Sequence, residues 1–206
     1  MNTPVTDMPI LLLAAGQSSR MRGIDKLLQE VDGKPLIRRQ ADIARAVTSG
    51  PVIVALPPEP HPRYDALVGA NVEVLPVPMA AEGMNASLRT GFAALPADVD
   101  AAMLLLCDLP ELTQADLARI ALAHDPNSDT LIWRGTTQDG KPGHPIVFSS
   151  KLFGEFSGLT GDGGGREVVK AAGTHIAHIP LPGNRARLDL DTPEDWAKWR
   201  AAHENA

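Results

Sequence analysis

Four polar side chains stand close together in a pattern suited to phosphate: Ser18, Ser19, Arg20 and Lys26. They follow Leu13-Ala14-Ala15-Gly16, a run of mostly small residues closing the apolar stretch Ile10–Leu13. A glycine there lets the backbone take angles closed to other residues and approach a phosphate closely. Hydroxyls and two cations after such a turn read as a polyphosphate cradle. Spacing alone equally allows an ordinary strand-to-loop junction with surface cations, because neither G-x-G-x-x-G nor G-x-x-x-x-G-K-[ST] is present.

Further candidates lie downstream. Ala101–Cys107 is the most apolar run in the chain and stops abruptly at Asp108-Leu109-Pro110. An acidic residue at the carboxyl end of a buried parallel strand sits where open α/β sheets bind ligands, with a turn or capping role as the alternative. Gly83, ahead of a helix holding Ser87 and Arg89, offers N–H groups and a hydroxyl to an anion; plain capping by Asn85 or Ser87 is the alternative. Cys107 reads as a small core residue, and His61 as a solvated side chain. His175 and His178 fall on a strand, where residues three apart point to opposite faces, so a shared ion is not expected.

Composition narrows the classes. With 206 residues, 44% apolar and 21% charged, the chain suits one well-buried globular domain spanning residues 1–206. A net charge of −6 without a Lys/Arg run argues against a nucleic-acid surface. The single cysteine excludes an intrachain disulfide. Met1–Asp7 lacks the basic residues and apolar core of a leader, and no run reaches the ~20 residues of a bilayer span. No membrane partner and a cytoplasmic address are therefore expected.

The elements that must position these residues alternate. Ile10–Leu13 and Pro51–Leu56 read as strands buried on both faces. Leu36–Val47 carries apolar residues at helical spacing, with Arg38, Arg39 and Asp42 outward. A proline-rich loop (57–62), a short helix (64–68) and a strand (72–75) follow. A helix ending before Pro96 comes next, then the strand before Asp108 and a helix from Pro110 and Thr113 to Ala123. Strands are expected at 130–133 and toward Phe148, then a helix at 151–156, a strand at 175–178 and a capped helix from Pro193. This order predicts an α/β fold with a mostly parallel sheet and helices on both faces.

Leu13-Ala14-Ala15-Gly16-x-Ser18-x-Arg20-Met21, followed by Lys26-Leu27-Leu28, resembles the N-terminal signature of the MobA-like NTP transferase family. Arg22 sits between Met21 and Gly23, which puts Lys26 one residue further from Arg20 than in the compact pattern. The resemblance extends along nearly the whole chain. Glu82-Gly83-Met84 with Ser87, Leu88 and Gly91 is similar to the family's second landmark, in its cytidylyl-transferring branch. Cys107-Asp108-Leu109-Pro110 is similar to C-D-M-P, and Gly143-His144-Pro145 to the G-H-P element. Gly161-Asp162-x-Gly164-Gly165-Arg166 resembles G-D-x-G-A-R with Gly165 in place of Ala, an added glycine that implies a more mobile loop. Asp189-Leu190-Asp191-Thr192-Pro193-Glu194-Asp195 resembles D-[IV]-D-T-P-E-D.

The resemblance implies a Rossmann-like three-layer α/β/α fold of the nucleotide-diphospho-sugar transferase type. It implies Asp108 and Asp191 as ligands of Mg²⁺, a hard cation that takes carboxylates and substrate phosphates. Arg20 and Lys26 would neutralise the β- and γ-phosphates. Leu13, Ala14, Ala15, Gly16, Ser18, Ser19, Gly83 and Ser87 would complete the nucleotide site. Gly143, His144, Pro145, Asp162 and Arg166 would contact the second substrate, with His144 shaping the site and not transferring a proton. The implied reaction moves CMP from CTP to molybdenum-loaded molybdopterin and releases pyrophosphate, the product going to a molybdoenzyme. CTP is expected because Ala15 puts a methyl group where a purine edge needs room. The alternatives are GTP on the same acceptor, a sugar- or polyol-phosphate nucleotidyltransferase, and a non-catalytic cofactor carrier.

Overall fold

Three strands carry side chains that no water-facing position would accept: β1 (Ile10–Leu13), β4 (Val52–Leu56) and β6 (Ala101–Leu106). In the computed structural model, which describes residues 5–203, they lie side by side at the centre of a seven-stranded sheet. β1 pairs in parallel with β4 on one side and β6 on the other, Leu13 facing Ala55 and Leu106. The expectation for Met1–Asp7 lies partly outside the described residues. Between β1 and β4 come the small hairpin β2 (Glu30–Val31) and β3 (Lys34–Pro35), then helix α1 (Leu36–Val47). α2 (Arg63–Ala66) and β5 (Glu73–Pro76) follow, then α3 (Met84–Ala93) leads into β6. The second half holds α4 (Gln114–Ala123), β7 (Ile132–Thr136), β8 (Pro142–Ser149), a 3₁₀ segment (Ser150–Gly158), α5 (Arg166–Ala171), β9 (Ile176–Pro180) and α6 (Pro193–His203).

The sheet order is β5-β4-β1-β6-β8-β7-β9, and β8 alone runs against its neighbours. That reversal matters for function. The carboxyl ends of β1, β4 and β6 form one rim, and the reversed strand brings its amino end, Pro142-Gly143-His144, to the same rim.

Side chains divide the core as strand alternation requires. Ile10, Leu12, Val54 and Met103 face α1, α4 and α6, whereas Leu11, Leu13, Ala55 and Leu104 face α3, the 3₁₀ segment and α5. Three layers result. α3 lies so close that a Cβ on Gly91 would come within 2.4 Å of Leu11 Cδ2, which explains the glycine at that position. α4 starts on a reciprocal cap, Thr113 with Asp116, and Thr192 with Asp195 bonds likewise ahead of α6.

Candidate active site

The rim encloses a cavity of about 740 Å³. All the site residues expected from sequence line it except Pro145, which is buried within β8. Pro145 is thus a backbone element and not a contact residue. At the cavity's centre Lys26 Nζ lies 2.6 Å from Asp108 Oδ2 and 2.6 Å from Asp191 Oδ1. Arg20 reaches the other Asp191 oxygen at 2.7 Å. Burial would lower the Lys26 pKa, but the facing Asp108 and Asp191 outweigh it and hold the ammonium above the ordinary lysine value. Burial opposes the Asp191 carboxylate in the same way, and the Lys26 contact wins, keeping it below the usual carboxylate range.

The extra residue Arg22 does not deny Lys26 this position. Arg22 and Gly23 both take positive φ, 54° and 89°, so the added residue is absorbed in a left-handed turn. Gly16 behaves differently from expectation: its φ is not left-handed, and a Cβ there would meet nothing within 4 Å. Its contribution is open space toward the cavity, while Ser18 takes the strained conformation at φ 52°. Ser18 is also less free than a phosphate-binding hydroxyl should be. Its Oγ donates to Asp25 at 3.3 Å and accepts from Lys26 N and from Arg63.

Arg63 is the residue that sequence reasoning missed on this side. It is 1% exposed, although it is charged and comes from the short helix α2. Its guanidinium donates to both oxygens of Asp25, at 2.7 and 2.8 Å, and to the Ala14 carbonyl. One buried cation therefore clamps the end of β1, the Ser18 turn and the segment leading to Lys26. Burial would raise the Asp25 pKa; Arg63 overrides that and lowers it.

On the opposite side hydrogen bonds tie the glycine-dense loop to α3. The Met84 N–H donates to Asp162 Oδ1 at 2.7 Å, so Asp162 caps α3 from a distance. Asn85, fully buried, donates to Thr160 O and accepts from Gly165 N, and Arg89 donates to Leu159 O. Capping by Asn85 or Ser87 does not occur; Gly83, at φ 112°, is the N-cap residue. A Cβ there would come within 2.7 Å of Asp162 Oδ1. Ser87 is buried against the cavity, and Arg166 is exposed at its edge.

Gly143 is explained by contact too: a Cβ would sit 2.1 Å from the Ala186 carbonyl, which accepts the His144 N–H at 2.8 Å. His144 is pushed down to about pKa 4 by burial and the nearby Arg134, so it is neutral at physiological pH, in keeping with a shaping role. Asp191 does not follow a strand directly. It ends a segment that leaves a turn over 183–187; Leu188 and Leu190 pack against the core, while Ala186, Arg187, Asp189 and Asp191 line the cavity. That alternation was a signal for Asp189 and Arg187 that the motif reading passed over.

The donor set fits a hard divalent cation. Asp108 Oδ1 is enclosed and has no hydrogen-bond partner, an unsatisfied anionic oxygen beside a second carboxylate. Among the described residues no cluster of three or more ligating side chains is preformed. Two carboxylates completed by substrate phosphates and water are what Mg²⁺ commonly takes. Among the described residues no helix is long and apolar enough to cross a membrane.

A probable molybdenum cofactor guanylyltransferase of Synechococcus elongatus is 38% identical over 106 residues, which is 52% of this chain and 53% of that protein. The chain thus spans about half the length of the curated relatives that head the comparison. The molybdenum cofactor guanylyltransferase of Vibrio cholerae is 24% identical over 202 residues, covering 96% of this chain and 94% of its own. The Rv0371c crystal structure from Mycobacterium tuberculosis matches with TM-score 0.77 and 30% identity, covering 95% of this chain and 98% of that one. Rv0371c has also been solved in complex with manganese; that structure matches with TM-score 0.76 and 26% identity over 93% and 97% of the two chains.

These names do not support the cytidylyl expectation. Ala15 is 3% exposed and packs in the apolar layer with Leu11, Leu13 and α3 at the edge of the cavity. The MobA-like NTP transferase domain matches residues 10–178, and with the sheet order and the rim described above the chain belongs to that family.

Proposed function

We propose that the chain, as one domain over residues 1–206, is a nucleotidyltransferase joining a nucleoside monophosphate to a phosphate of a molybdopterin-type acceptor. The observation that carries this reading is the Lys26 ammonium set between Asp108 and Asp191 at the rim of a cavity large enough for two substrates. Arg20 and Lys26 supply fixed positive charge for the β- and γ-phosphates. Mg²⁺, held by Asp108 and Asp191, would supply charge neutralisation at the phosphate oxygens. An acceptor phosphate oxygen attacks the α-phosphorus, the bond from that phosphorus to the bridging oxygen of the β-phosphate breaks, and pyrophosphate leaves. No general base is needed, because a phosphate nucleophile is already ionised near neutral pH. What the protein provides is alignment and electrostatic stabilisation.

GTP is the donor in this reading, supported by the names of the curated relatives. A second reading, CTP, is favoured by one observation: Leu13-Ala14-Ala15-Gly16 and Glu82-Gly83-Met84 are similar to the cytidylyl branch. The experiment offers the protein each of the four triphosphates with Mg²⁺ and molybdenum-loaded molybdopterin, and follows pyrophosphate release. Turnover with GTP is expected, and a strict preference for CTP would move the chain to the second reading. Tight cofactor binding without turnover would make it a carrier, and turnover only with a sugar or polyol phosphate would overturn the acceptor.

A further inference from the structure

Two arginines that no motif claims face the cavity beside the reversed strand. Arg134, on β7, donates from Nε to the Gly143 carbonyl at 3.0 Å. Arg187, on the segment that also carries Asp189 and Asp191, donates to the Pro142 carbonyl at 2.8 Å. Successive carbonyls of β8 therefore hold both guanidiniums on one wall. Among the described residues neither forms an ion pair with a carboxylate, unlike Arg20, Lys26 and Arg63. Asp108 and Asp191 do not answer the pair, because Lys26 and Arg20 already engage them.

This arrangement is unfavourable by itself. Arg134 is half-buried, and its pKa is held below the ordinary arginine value by burial and then by the charge of Arg187. Arg187 is exposed, yet two like charges brought together at the edge of the cavity repel, and an anion between them relieves that repulsion. His144, which lines the same cavity, has an enclosed Nδ1 with no hydrogen-bond partner.

We infer that Arg134 and Arg187 form an anion site that holds a phosphate monoester of the acceptor. The pair is held by β8 carbonyls while Arg20 and Lys26 are held by Asp108 and Asp191, so the two phosphate groups of the reaction are gripped by separate pairs of cations in one cavity. Guanidinium is suited to this task because its forked donors match phosphate oxygens. The acceptor's dianionic phosphate presents one oxygen to the α-phosphorus; the new P–O bond forms as pyrophosphate leaves with its bonding pair, and the charge balances without an added proton. The identity of the acceptor rests on the proposed function, but the anion site does not.

The test titrates phenyl phosphate into the protein saturated with Mg²⁺ and a non-hydrolysable GTP analogue, read by calorimetry. Wild type should bind the probe with nucleotide in place, and phenyl sulfate, a monoanion, should bind more weakly. Arg134→Gln and Arg187→Gln should each weaken phenyl phosphate by about 10- to 100-fold, as loss of a charge-assisted contact implies, and leave nucleotide affinity within about twofold. Arg134→Lys and Arg187→Lys, which keep the charge, should recover part of the affinity, separating loss of the site from loss of the fold. Phenyl phosphate binding that ignores both arginines would overturn the inference, as would variants that weaken nucleotide as much as probe. If the probe needs the pair but no triphosphate reacts with a molybdopterin acceptor, the proposed function fails and the anion site stands.

Discussion

The two walls of the cavity are built on opposite electrostatic plans. On the β1 side every cation has a carboxylate: Arg63 with Asp25, Lys26 with Asp108 and Asp191, Arg20 with Asp191. On the β8 side Arg134 and Arg187 hang from backbone carbonyls, and His144 carries no charge. A wall of closed ion pairs holds a loop in one shape before any ligand arrives. A wall of unanswered cations takes its counter-charge from the ligand. Preorganisation on one side and charge recognition on the other is a workable division for a reaction that aligns two phosphates.

The deepest break in this contrast is Arg63→Leu. It strands Asp25 without its partner and frees the Ala14 carbonyl and Ser18 at once. Removing one member of a buried pair typically costs about 3–5 kcal/mol. At about 2–4 °C per kcal/mol for a chain of this size, Tm should fall by roughly 10 °C. Nucleotide binding should weaken, while the phenyl phosphate site survives at temperatures where the protein is folded. The acid side gives a second reading. Arg63 lowers the Asp25 pKa below 3.8, so the pair's stabilisation is complete above that value and fades as pH falls through the native pKa. Wild type and variant should therefore begin to converge in stability only as pH falls below 3.8. A variant that melts and binds triphosphate like wild type would remove the idea of a braced wall.

Next in size are Asp108→Asn and Asp191→Asn. Each should leave the fold intact and lower magnesium-dependent pyrophosphate release by about 100-fold, equivalent to about 2.7 kcal/mol. Arg134→Gln should differ in kind, raising the KM for the acceptor without changing the response to magnesium. Near-wild-type turnover of both aspartate variants at low magnesium would show that the carboxylates serve Lys26 alone.

The braced wall and the open wall were not equally legible. Strands β1 and β6 and the bounds of α1 follow from unbroken apolar runs and a 3.6-residue period, which depend on neighbours in sequence. The caps at Thr113 and Thr192 are local as well. Asp25 and Arg63 lie far apart in the chain, and Arg63 sits beside a proline-rich loop with no periodic signal, so nothing local joins them. Arg134 falls just past the strand expected at 130–133, and its bond to the Gly143 carbonyl depends on β8 being its neighbour in the sheet. Motif reasoning found the second aspartate of Asp189-Leu190-Asp191 but not the alternation that sends Arg187 and Asp189 to the same face. Gly143 matched a pattern, yet its reason, the close approach of Ala186, exists only in three dimensions.

That approach supplies the smallest of the tests. A methyl group at position 143 would meet the Ala186 carbonyl at 2.1 Å, so Gly143→Ala must push the 186–191 segment away from β8. The two ends of that segment are not held equally. Asp191 is pinned by Arg20 and Lys26, and Leu190 N–H donates to the Asp108 carbonyl, whereas Arg187 relies on Pro142 O from its side chain and Asn184 O from its N–H. Displacement should therefore fall mainly on Arg187. Overpacking of this kind costs on the order of 1–2 kcal/mol, a Tm shift of only a few degrees. Phenyl phosphate affinity should drop several-fold, while magnesium dependence and nucleotide affinity stay close to wild type. An equal loss in both would mean that the segment moves as one rigid piece and that the two walls are a single mechanical unit.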